Sequence, residues 1–314
     1  MWLRRNWIPL LITLLFFAAM LVPPVEKKED TTNVAPPADS WTGAPENQIP
    51  VSPAGDEIRY GRELISHTAR YYGPRGSLAQ SSNGMNCQNC HLDAGTKPWG
   101  NNFGAVASTY PKFRDRSGTI ETIERRVNDC FERSLNGRAI DSTGREMKAM
   151  VAYIKWLGNE IPKGTRPKGS GIVPLVYLPR AADPERGSKI FTSTCERCHG
   201  KNGEGELQQN GVEYTYPPLW GEHSFNNGAG LFRLSRLAGY IKANMPVPVN
   251  YHNPELTDAE AWDVAAYIVS MPRPAKDMSQ DWPDISKKPF DHPFGPYRDT
   301  FSEQRHKYGP FLTK

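Results

Sequence analysis

Apolar residues are spread unevenly along this chain, and their spacing divides it into segments. From Trp7 to Val22 they run almost unbroken, behind Arg4 and Arg5 and ahead of Pro23-Pro24 and the charged stretch Glu26 to Asp30. A charged head followed by an apolar run is the pattern of an export signal. Sixteen residues are long for a signal core and short for a membrane span, and no small-x-small triplet follows. Residues 1–30 are read as a signal peptide or an N-terminal membrane anchor, the retained anchor being favoured. Residues 31–52 are polar and Pro-rich, which predicts a flexible tether.

Beyond this the apolar positions fall into two similar sets. Arg59-Tyr60-Gly61-Arg62-Glu63-Leu64-Ile65 and Pro184-Glu185-Arg186-Gly187-Ser188-Lys189-Ile190-Phe191 each predict an opening helix. Met150 to Leu157 and Asp263 to Val269 each predict a closing helix, aligned by a shared Ala-Tyr-Ile. Thr257-Asp258-Ala259-Glu260 is a capping box that starts the second closing helix. Ile120, Ile123, Val127 and Phe131 predict one further amphipathic helix over Thr119–Leu135, capped by Thr119. The first half carries an insertion around Tyr71–Gly84. Pro162–Pro179 is rich in Pro, Gly and Lys and reads as a linker. The predicted organisation is a mainly α chain: domain 1 over 53–163, linker 164–180, domain 2 over 181–273, and an extension 274–314. That extension, from Pro272 on, is expected to be an ordered strap and not a third domain.

Composition adds little. Apolar content is 38%, with 28 Pro and 27 Gly, which fits short helices and irregular loops. A net charge of +4 without a Lys/Arg block gives no basis for a nucleic-acid partner.

The cysteines change the picture. Four of the five lie in two copies of C-x-x-C-H: Cys87/Cys90/His91 and Cys195/Cys198/His199. Disulfides do not explain a His directly after each pair, and no βαβ context supports a thioredoxin-like motif. Two thioethers to a haem, with the next residue as proximal iron ligand, require this spacing. Two tandem cytochrome c-type domains are therefore expected, each with a covalently attached haem c.

The distal ligands follow from comparing the halves. A second axial ligand comes from the segment before the closing helix. Met245, in Asn244-Met245-Pro246, lies 21 residues before Ala266, and counting back 22 from Ala152 reaches Cys130. The unpaired cysteine thus takes the place of the methionine. A lone Cys is ordinarily a small buried residue, but the repeat assigns it to iron. Met147 and Met150 lie in the closing helix and are read as packing. His67, His223, His252, His292 and His306 are read as surface or structural. Iron ligands are then His91 and Cys130 in the first half, His199 and Met245 in the second. Methionine raises a haem potential and thiolate lowers it, so electrons would run from the first to the second.

Arg126, Cys130 and Ser134 are spaced i, i+4, i+8 and form one stripe of their helix. Arg116 precedes it and can reach the same place. Arginine suits oxyanions, although haem propionates are an ordinary alternative partner.

Arg125-Arg126-Val127-Asn128-Asp129-Cys130-Phe131-Glu132-Arg133-Ser134-Leu135-Asn136-Gly137 resembles the segment around the haem-ligating Cys of dihaem thiosulfate dehydrogenases. Leu219-Trp220-Gly221, Phe225 to Gly230, and Ile241 to Pro246 resemble their second-haem segment. The resemblance spans roughly Tyr60 to Met271. It implies coupling of two thiosulfates to tetrathionate, or the reverse, at haem 1. It makes Cys130 the catalytic ligand, whose sulfur leaves iron and carries a sulfane adduct, with Arg116, Arg126 and Ser134 binding substrate. A small periplasmic cytochrome or another periplasmic acceptor would take the electrons. Some members carry Lys directly before the haem 2 Met. Here that residue is Asn244, which argues against a ligand switch, although Lys242 is near. Three other readings are an electron carrier without substrate, a related sulfur-oxidation haem subunit acting on carrier-bound sulfur, and a dihaem peroxidase. Cys130 opposes the first, Asn-Met-Pro suits the second poorly, and a peroxidase would leave an iron open.

Overall fold

The computed structural model describes residues 40–311, so the export segment and the tether up to residue 39 lie outside the described residues. Among the described residues no helix is long and apolar enough to cross a membrane. From Ser40 onward the stretch expected to be tether is docked. Trp41 donates its N–H to the Lys168 carbonyl at 2.9 Å, and Ile49 is buried.

Helix α1 (Pro53–Ser66) starts at Ser52, whose hydroxyl accepts the Gly55 N–H at 3.2 Å, with Pro53 in the first turn. Helix α2 (Thr68–Tyr72) follows, and the expected insertion then loops to Asn86. Strands β1 (Lys112–Arg114) and β2 (Thr119–Glu121) form an antiparallel hairpin with Phe113 opposite Ile120. Helix α3 covers Ile123–Arg133. This corrects the expected helix over Thr119–Leu135. Its cap is Thr122, which accepts the Arg125 N–H at 3.3 Å, and Ile120 is a 71% exposed strand residue. Cross-strand pairing claims Thr119–Glu121 before the helix can start.

Helix α4 (Arg145–Leu157) closes the first half. Helix α5 (Pro184–Ile190) opens the second, capped by Asp183, which accepts the Glu185 N–H at 2.9 Å. A wider π-type turn, Phe191–Cys195, and a last helical turn, Glu196–His199, continue it, so the second haem motif sits on one helical path. Strands β3 (Glu206–Leu207) and β4 (Tyr214–Tyr216) pair antiparallel. Helix α6 (Leu234–Asn244) precedes α7 (Asp258–Ser270), which has the expected capping box of Thr257 and Glu260. The tail adds α8 (Glu303–Tyr308).

The two halves share one crossing. In α1, a Cβ on Gly61 would overlap the Ala149 carbonyl of α4; in α5, one on Gly187 would overlap the Asp263 carbonyl of α7. Ala149 is three residues before Ala152, and Asp263 three before Ala266, so both contacts hold the same register to the shared Ala-Tyr-Ile. Glycine is required because the helix backbones touch. This crossing sets each haem motif beside its closing helix, over a core that includes Leu64, Phe131 and Met147 in one half and Phe191, Trp262 and Val264 in the other.

Candidate functional site

Each C-x-x-C-H motif lines a cavity. The first is lined by Cys87, Cys90 and His91 together with Cys130, Arg126 and Ser134. Its apolar wall includes Ile65, Phe103, Ile123, Val127 and Ile154. The second is lined by Cys195, Cys198, His199 and Met245, with Leu219, Phe225, Leu237 and Ile268 in its wall and Cys90 and Leu92 of the first half on its edge. In each, the thiols for two thioethers, a histidine, and a second sulfur line one apolar space. That donor set fits a haem c.

The histidines are oriented for the task. His91 Nδ1 bonds the Asn101 carbonyl at 2.5 Å, and His199 Nδ1 bonds the Pro217 carbonyl at 2.9 Å. With Nδ1–H donated, Nε2 keeps its lone pair for a metal. Burial pushes His91 down to about 4 and also lowers His199, so both rings are neutral at pH 7.

Helix α3 presents Arg126 and Cys130 to the first cavity, and its C-cap residue Ser134 joins them there. The Cys130 sulfur holds the Arg126 guanidinium above its ordinary pKa. Arg126 Nη1 also donates to Asp129 Oδ2 at 2.7 Å. Arg116 is not in the lining. It pairs with the same Asp129 oxygen, and burial, with Arg126 and Arg133 near, pushes it down to about 9. Cys130 lies within its helix, whereas Met245 is the residue just past the end of α6. Met150 lines the first cavity beside Ile154, fully buried in α4.

Two further cations line the first cavity: Lys112 from β1 and Arg166 from the linker. Lys112 Nζ lies 4.6 Å from the centre of the Tyr110 ring. Burial, with Arg166, Arg114 and Arg126 near, pushes Lys112 down to about 8. No sequence spacing relates these residues to Cys130. A basic residue beside an aromatic in Tyr110-Pro111-Lys112 was the only local signal.

Lys242 does not line the second cavity. Its ammonium bonds the Leu256 carbonyl at 2.6 Å and Asp258 at 3.0 Å. Asn244 is buried and donates to the Trp99 and Tyr240 carbonyls at 3.2 and 3.0 Å. Of the other histidines, His67 bonds Glu213 at 2.6 Å and His306 bonds Asp299 at 2.9 Å. His292 is buried, and His223 and His252 are exposed.

Residues 77–162 match the family described as SoxA/TsdA, cytochrome c domain, and residues 184–272 match cytochrome c. A thiosulfate dehydrogenase of Psychrobacter arcticus is 37% identical over 81% of this chain and 77% of its own length. The chain belongs to the thiosulfate dehydrogenase family. A second member, from Allochromatium vinosum, is 37% identical over 76% of this chain and 86% of its own. The solved thiosulfate dehydrogenase (TsdBA) of Marichromatium purpuratum, as isolated, superposes with a TM-score of 0.69 at 33% identity. That match covers 76% of this chain and 50% of the solved one, so the chain spans about half of that larger protein. Membership makes this chain an oxidoreductase with two tandem cytochrome c domains, each holding a covalently bound haem c.

Proposed function

We propose that this chain joins two thiosulfates into tetrathionate at the first cavity and passes the two electrons through the second haem to an external acceptor. The observation that carries the reading is one half-buried cysteine, Cys130, lining the haem 1 cavity one helical turn from Arg126. His91 and Cys130 would hold iron in the first domain, His199 and Met245 in the second, taking the domains as 53–163 and 181–273. The bound haem supplies one-electron chemistry, its potential lower with thiolate and higher with methionine.

The protein groups supply charge and position. Two unit charges 4 Å apart near a protein surface repel by about 4 kcal/mol, and two dianions by about four times that. One arginine offsets only part of this. Arg126, Lys112 and Arg166 together line the cavity where two thiosulfates must approach. Ser134 adds a hydroxyl donor, and the apolar wall keeps the charges poorly screened and so strongly felt. Arg116 holds Asp129, and through it Arg126.

The acceptor is a small electron-carrier cytochrome or another periplasmic acceptor, reached through the second domain. The apolar segment 1–30 directs export, and with it a periplasmic location, tethered to the inner membrane where the segment is retained. The test is Cys130→Gly. Both haems should stay attached while thiosulfate-dependent reduction of an acceptor is abolished; full activity would overturn the mechanism.

A further inference from the structure

The tail reaches back from the second domain to the helix that bears Cys130. The Trp282 N–H donates to the Arg116 carbonyl at 2.7 Å. Beside it, Asp281 takes both ends of the Arg133 guanidinium, at 2.8 and 2.6 Å. Arg133 Nε in turn donates to Asp129 Oδ1 at 2.7 Å. The other Asp129 oxygen holds Arg126 and Arg116. The result is one chain of ion pairs from the tail to the cavity, its members nearly buried except Arg126, which is half-buried.

We infer that Asp281 is a positioning residue for the thiosulfate site, acting through Arg133 and Asp129 on Arg126 and Arg116. This rests on the function proposed above. The charge count gives the reason. Three arginines share two aspartates, so each carboxylate has a fixed task. Without Asp281, Arg133 keeps Asp129 as its only carboxylate in this chain of pairs and competes there with Arg126 and Arg116. The planar two-pronged Arg133–Asp281 pair is directional, so its loss changes geometry as well as charge. Carried in sequence by the extension, Asp281 thereby becomes part of the first domain's chemistry.

Charge and position predict opposite outcomes. Neutralising a carboxylate near an anion site tightens anion binding if charge alone matters; releasing Arg126 weakens it. The experiment is steady-state thiosulfate oxidation with ferricyanide, using the full-length holoprotein carrying Asp281→Asn. KM for thiosulfate should rise about tenfold with kcat little changed, since small misplacements of binding groups are costly. Haem content and the haem 2 absorption should stay as in the parent. Asp281→Glu, which keeps the charge on a longer arm, should raise KM by about threefold. An unchanged or lower KM in whichever variant keeps both haems would overturn the inference. Cys130→Gly is assayed alongside. If it stays active the function reading fails, whereas if it is dead and KM does not rise, only the role of Asp281 fails.

Discussion

Arg126 sits one turn of α3 before Cys130, and the Cys130 sulfur holds its guanidinium above the ordinary pKa. A cation so placed is fully charged at any working pH. It lies beside the atom proposed to meet substrate, and it donates to Asp129 at 2.7 Å.

Replacing Arg126 by Gln removes that charge and leaves the helix intact. A hydrogen bond to a charged group is worth about 1.5–3 kcal/mol, so kcat/KM for thiosulfate should fall by about 10- to 100-fold. Haem staining and steady-state kinetics check it. An unchanged kcat/KM would assign Arg126 to the haem propionates alone.

Lys112 gives the site a pH dependence. Burial, with Arg166, Arg114 and Arg126 near, pushes its pKa down to about 8, and Glu121 opposes them. A bound dianion favours the charged form and pulls that pKa back up. Binding is therefore strongest below pH 8 and weakens as pH rises through it. KM for thiosulfate, measured from pH 6.5 to 9.5, should climb across that window, and Lys112→Met should flatten the climb and raise KM at low pH.

Met245 tests the second iron. Leu in its place keeps the volume and removes the sulfur. The methionine-to-iron absorption, near roughly 700 nm, should vanish and the haem 2 potential should fall, because that axial ligand raises it. Turnover should drop while KM for thiosulfate stays put, since the substrate cations line the other cavity. Spectroelectrochemical titration reads the potential directly.

The helix crossings carry the stability. Gly61→Ala or Gly187→Ala would press a methyl group into the facing backbone carbonyl. Overpacking of this kind costs about 1–3 kcal/mol. Gly230, with no neighbour within 4 Å of a built Cβ, is the control, and Ala there should change stability by less than about 0.5 kcal/mol. Thermal melting of the holoprotein distinguishes the two classes.

The sequence by itself determined what short-range covalent and helical spacing can encode. The two C-x-x-C-H motifs, the shared Ala-Tyr-Ile and the Thr257–Glu260 cap each depend on residues a few positions apart. So does the Arg126/Cys130/Ser134 stripe, since a helix returns to the same face every few residues. The tertiary structure decided what depends on distant segments meeting. Thr119–Glu121 pairs with Lys112–Arg114 because a cross-strand partner outcompetes a short stretch of helical periodicity. Lys112 and Arg166, 54 positions apart, meet at one cavity only after the linker folds back. Arg116, expected at the substrate, is drawn to Asp129. Asp281, 151 positions from Cys130, joins its helix through Arg133. Ion pairs of this kind obey distance in space, and sequence separation carries no trace of them.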